Sequence, residues 1–153
     1  MSSNIERSRF VVWLLVIIIL ILSFVLIIEK LEEDVDDAAF LLASKRMIER
    51  ASFYKQQWML NGQREHLVVD TENLLFSKHG WVIPNREQSR TACESWFSLL
   101  YPEQRVLGVA PSKVVERSEL NNYRCEYIFN YGKSIHIQLV DNNFTVSVGF
   151  SAK

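Results

Sequence analysis

Two cysteines, three histidines and one dense run of carboxylates are the residues of this chain whose types could do chemistry. Cys93 and Cys125 are the only thiols. In an oxidising compartment an even pair reads as a disulfide. Closing a loop of about 33 residues would stabilise the fold by roughly 3–4 kcal/mol in the chain-entropy account. Two buried free thiols are the alternative. A zinc-type site is a poorer use of the same residues, because neither C-x-x-C nor H-x-x-x-H spacing occurs. His66 and His136 fall in strand-like stretches and His79 in a turn; His136 alternates with Ile135 and Ile137 and should face away from the core. Glu29, Glu32, Glu33, Asp34, Asp36 and Asp37, opposed only by Lys30, read as a solvated collar. A docking surface for a basic partner is the sharper alternative. No Gly-x-Ser-x-Gly, HExxH, P-loop or GxGxxG motif is present. Hydrolase, metalloprotease and nucleotide-binding readings therefore have no support in the sequence. No catalytic residue, cofactor or metal is expected, and an enzyme is the weakest reading. Tyr123, Tyr127, Phe129 and Tyr131 share one face of an alternating run and are expected as core rather than as a nucleic-acid stacking platform.

The elements that must carry these residues are uneven. The 17 basic and 18 acidic side chains nearly cancel, so no basic field invites nucleic acid. The apolar 48% is concentrated at one end. From Phe10 to Ile28 only Ser23 is polar. Nineteen helical residues at about 1.5 Å each reach roughly 28 Å, close to a hydrocarbon core. Apolar side chains on every side of that helix argue for lipid all round rather than a surface-lying helix. No small-x-small cleavage site follows it. Arg7 and Arg9 precede the span and the acidic run follows it, which places the first nine residues in the cytoplasm and everything after the span outside.

Beyond the span the helical pattern continues. Ile28, Leu31, Val35, Ala38 and Leu42 keep 3–4 spacing, and the stripe then drifts onto Met47, Ala51, Tyr54 and Trp58 until Asn61-Gly62 ends it. Residues 42–60 are expected to pack on the protein's own sheet. Nearer the membrane, Leu31, Val35 and Ala38 are expected to meet a partner helix. From Gln63 the period changes to two. His66–Val69, Leu74–Ser77 and Trp81–Ile83 read as short strands, Val106–Ala110 and Val114–Glu116 as edge strands. Thr91 has capping-box spacing to Glu94 and opens a short helix through Leu100. Tyr123 to Tyr131, Ile135 to Leu139 and Phe144 to Phe150 alternate, the last two joined by Asp141-Asn142-Asn143. The expectation is an α+β chain in four parts: a cytoplasmic tail (1–9), a transmembrane helix (10–28), a helical stalk (29–61) and a small domain (62–153). In it one long amphipathic helix covers a small antiparallel sheet.

This layout resembles the type IV pilin-like proteins. The segment Phe76-Ser77-Lys78-His79-Gly80-Trp81-Val82-Ile83-Pro84 is similar to the Gly-Trp-Pro-type turn after the first helix of some minor pilins. Pilins carry a glycine before the hydrophobic run and a glutamate inside it; Ser8-Arg9-Phe10-Val11-Val12-Trp13 has neither, which argues against peptidase processing and incorporation as a subunit. Three stretches resemble biogenesis proteins of the mannose-sensitive haemagglutinin (MSHA) type IV pilus. They are Ile5-Glu6-Arg7-Ser8-Arg9-Phe10-Val11-Val12-Trp13, Leu42-Ala43-Ser44-Lys45-Arg46 and Glu49-Arg50-Ala51-Ser52-Phe53-Tyr54-Lys55-Gln56-Gln57-Trp58.

That resemblance implies a single-pass inner-membrane protein with its C-terminal domain in the periplasm. Its implied partners are the lipid bilayer and other pilus assembly proteins or pilins, with no nucleic acid, and a homodimer through the stalk is a further expectation. The role it implies is a non-enzymatic scaffold or pilin-contacting assembly factor. A membrane-anchored periplasmic sensing or ligand-binding domain that signals through a partner is the alternative.

Overall fold

The computed structural model describes residues 2–85, 91–119 and 122–150, with the side chains of 2–7, 28–35 and Tyr131 left out. The chain is α+β: helix α1 (Ser2–Leu60), strands β1 (His66–Val69), β2 (Glu72–Phe76) and β3 (Val82–Ile83), helix α2 (Ala92–Leu100), then β4 (Lys113–Glu116), β5 (Tyr123–Ile128), β6 (Lys133–Val140) and β7 (Asn143–Phe150). Two compact units result, Met1–Ala38 and Ala39–Lys153.

In the first unit, the 20 residues Ser8–Ile27 are long and apolar enough to cross a membrane, and none of them is buried by protein. A core helix of the same length would be covered. Ser23, a polar residue within this stretch, donates its hydroxyl to the Ile19 carbonyl at 2.8 Å, the backbone bond by which a serine is accommodated in an apolar helix.

In the second unit, α1 buries Phe40, Ala43, Met47, Ala51, Tyr54 and Trp58, a 3–4 seam along one face. Met47, Ala51, Tyr54 and Trp58 are core as their spacing predicts. Leu42 is not: it is 51% exposed. The buried seam runs through Phe40, Ala43 and Met47, and Leu42 lies two residues, roughly 200° of helix rotation, beyond Phe40. The helix ends at Leu60 because Gly62, at φ +78, lets the Gln63 N–H turn back to the Trp58 carbonyl at 3.0 Å, the bond of a Schellman stop.

The strands form two antiparallel sheets, β1-β2-β3 and β4-β5-β6-β7, where one sheet was expected. Asp70-Thr71 and Asp141-Asn142 take positive φ and close two-residue hairpins. Glu72, Asn73 and Asn143 consequently belong to strands. Val106–Ala110 is not a strand: Val106 and Val109 exchange backbone bonds at 3.0 Å around Leu107 and Gly108, both at positive φ. The alternation read through Tyr131 stops at Ile128, where Asn130–Gly132 turns as a single 3-10 coil. In β6, Ile135, Ile137 and Leu139 are buried while Ser134, His136, Gln138 and Val140 are half-covered.

Trp81 ties three pieces of the second unit together. Lys55 of α1 sits 4.0 Å over its ring, Phe144 stacks on it at 5.2 Å, and its indole N–H donates to the Asn142 carbonyl at 3.0 Å. The turn before it needs glycine: Gly80 has φ +79, and a Cβ there would overlap the Trp58 indole. Gly80→Ala is expected to cost about 2–4 kcal/mol by combining left-handed strain with overpacking. Urea unfolding measures it; a loss under about 0.5 kcal/mol would show that the indole moves aside freely.

Candidate functional site

Cys93 opens α2 and Cys125 sits in β5, and their sulfurs are bonded, with Cα atoms 5.6 Å apart. Both are buried. The capping reading explains how Cys93 arrives there. Thr91 is extended, and its hydroxyl accepts the Glu94 N–H at 3.2 Å, which starts the helix one residue before the cysteine. Alternation in β5 then turns Cys125 inward with Tyr127.

Tyr127 reinforces the staple. Its hydroxyl donates to the Cys93 carbonyl at 2.6 Å, and its ring stacks on Phe97 at 4.5 Å. Burial, assisted by Glu116 and Glu94, pushes its phenol well above the ordinary range. Tyr101 is also raised, chiefly by burial and by its hydrogen bond to Glu103. A folded-state pKa raised above the unfolded value of about 10 leaves stability intact below that pH and erodes it above. Unfolding free energy is therefore expected to fall as pH climbs from about 10, and Tyr127→Phe should flatten part of that decline. Chemical denaturation at pH 9 and pH 11 reads both; an unchanged slope in the variant would remove Tyr127 from the alkaline limb.

A cleft of about 850 Å³ opens in the second unit beside α2, β2 and β4, with Glu72, Glu94, Arg105 and the apolar Leu74, Phe97 and Val114 on its walls. Its carboxylates and guanidinium could orient a small polar ligand over an apolar floor. Among the described residues no three His, Cys, Asp or Glu side chains gather into a metal-sized group. His66 and His79 are exposed and stand apart from each other on β1 and in the turn before β3. His136 lies on the outer face of β6, as its alternation predicts, and meets the Ser134 hydroxyl at 3.0 Å. That contact was not read from the sequence, although two polar residues at i and i+2 of an alternating strand necessarily share a face. Gly149 makes room for it, since a Cβ there would lie 2.6 Å from the Ser134 Oγ.

Of the residues expected to meet a partner helix, the side chains of Leu31 and Val35 lie outside the described residues, and Ala38 is exposed. On α1 within the second unit, Leu41, Ile48 and Met59 are exposed along one flank of the buried seam. Arg46 pairs with Glu103 at 3.6 Å, both half-exposed, a contact worth little in water. What these parts define is a disulfide-stapled α+β domain on a chain with one helix able to span a membrane. No family model matches the chain, nor does any curated protein or solved structure.

Proposed function

We propose that this chain is a non-enzymatic inner-membrane component of type IV pilus biogenesis, similar to MshF of MSHA-type systems. It acts as a scaffold or a pilin-contacting assembly factor. The observation that carries the reading is α1: one helix, Ser2–Leu60, whose early stretch Ser8–Ile27 is bare of protein cover and whose later stretch supplies Phe40, Met47, Tyr54 and Trp58 to a domain core. A helix used first by lipid and then by its own domain is the pilin-like arrangement, and the missing glycine and glutamate suit an assembly factor rather than a subunit. The buried disulfide supports an oxidising location for the domain. The N-terminus is then cytoplasmic and the domain periplasmic, as the flanking charges favour.

Photocrosslinkers placed at Leu31, Val35 and Ala38 in cells assembling pili test the role. Adducts with pilins or with membrane subunits of the machine are expected, whereas adducts with lipid or with the chain alone would count against it. The 850 Å³ cleft favours one second reading, a ligand-sensing domain that signals through a partner. A small polar ligand that raises the melting temperature, and loses that effect in Arg105→Ala, would move the conclusion there.

A further inference from the structure

Strand β7 ends the four-stranded sheet, and no other described strand pairs with its far side. Hairpin geometry fixes which backbone groups point there. Asp141 and Asn142 close a two-residue turn, so Val140 and Asn143 exchange both of their hydrogen bonds. Alternation then aims the N–H and C=O groups of Asn143, Thr145, Ser147 and Gly149 at β6, and those of Phe144, Val146, Val148 and Phe150 outward. The rest of the sheet keeps the same phase: the Ser112 and Arg117 N–H groups donate to the carbonyls of Ile128 and Arg124, on the side of β5 away from β6. Edges are usually closed by charge, proline or a bulge. Strand β7 has no charged residue and no proline, and its register with β6 is unbroken from Asn143 to Phe150. Its apolar row is also under-covered. Val146 and Val148 are half-buried although their partners Ile137 and Ile135 are fully buried, and Phe150 is 47% exposed.

We infer that β7 is a homodimerisation edge, on which a second copy of this chain lays its own β7 antiparallel across a two-fold axis at Ser147. In that register Phe144 faces Phe150 and Val146 faces Val148, all through their outward backbone groups. Ser147 faces its own copy and Thr145 faces Gly149. The apolar rows meet, the small polar rows meet, and no charge is opposed. A one-residue slip would offer the partner backbone groups already used by β6. The second copy is the occupant because the strand is complementary to itself and an isologous pair needs only one patch. This pairing stands whether or not the chain serves a pilus.

The test uses the full-length chain in lipid nanodiscs and in native membranes, with Ser147→Cys. A non-hydrogen-bonded antiparallel pair holds Cα atoms about 4.5 Å apart, within disulfide reach. Mild oxidation is expected to convert most S147C chains to covalent dimer. Thr145→Cys, whose symmetry mate lies roughly 13 Å along the strand, should stay monomeric. Adding Val148→Pro to S147C removes an outward donor without touching the β6 ladder and should cut the dimer at least tenfold. Should that variant fail to fold, the S147C and T145C comparison decides alone. An S147C chain that remains monomeric, that crosslinks no better than T145C, or that joins a different protein in native membranes overturns the inference.

Discussion

Removing the bond between Cys93 and Cys125, as the Cys93→Ala, Cys125→Ala pair, is expected to lower domain stability by about 3–4 kcal/mol and its melting temperature by roughly 12–20 °C. The bridge spans 32 positions, a loop long enough for chain entropy to dominate. It joins α2 to β5, and both cysteines are buried, so the unbridged variant also loses packing. In a domain of this size that is a large share of a typical net stability of 5–15 kcal/mol. Differential scanning calorimetry of the two forms measures it. A shift under about 5 °C would mean that α2 is held by packing alone. The same burial predicts slow reduction: mild thiol reductant should leave the native chain bridged, while reductant with denaturant opens it.

Trp96→Ala is expected to cost about 3–5 kcal/mol. The Trp96 side chain reaches both sheets. Its indole N–H donates to the Val82 carbonyl at 3.2 Å, and Val82 belongs to the three-stranded sheet. Its ring packs edge-on against Phe144 at 5.8 Å and Tyr123 at 6.2 Å, which belong to the four-stranded sheet. The side chain is fully buried. Truncation leaves a cavity at the joint between the sheets and an unpaired carbonyl beside it. Trp96→Phe separates the two effects, since it keeps an aromatic filler and orphans only Val82, for about 1–3 kcal/mol. Urea denaturation of both variants gives the comparison; equal losses would show that the hydrogen bond, not the packing, carries the joint.

Much of this architecture is legible in the residues because it depends on local periodicity. The Phe10–Ile28 run, the Met47–Trp58 seam, the Thr91 cap and the alternation of β6 are each set within a few turns of chain. The misread positions depend on partners distant in sequence. Leu42 continues the spacing of Val35 and Ala38, but the domain surface that α1 packs on selects the seam two residues away. Val106–Ala110 is apolar like a strand, yet Leu107-Gly108 bends it into a turn, and Gly108 was the available signal. Whether short strands share one sheet or divide into two is a matter of pairing, which alternation does not encode. Strand β7 was seen as a strand from its alternation, whereas its position at an edge became visible only with the sheet order. The Ser134–His136 contact was readable from face-sharing, but its closeness depends on the missing side chain of Gly149 across the ladder.

Orientation in the membrane is the point on which the functional proposal turns, and proteinase added to intact spheroplasts producing the full chain addresses it most directly. Digestion is expected to reach the domain from outside, to require reductant for release of the bridged fragments, and to leave a fragment of about the first thirty residues in the alkali-washed membrane pellet. A full-length chain protected until the cells are lysed, or a mature protein recovered in solution without residues 8–27, would contradict the proposed anchored and exported domain.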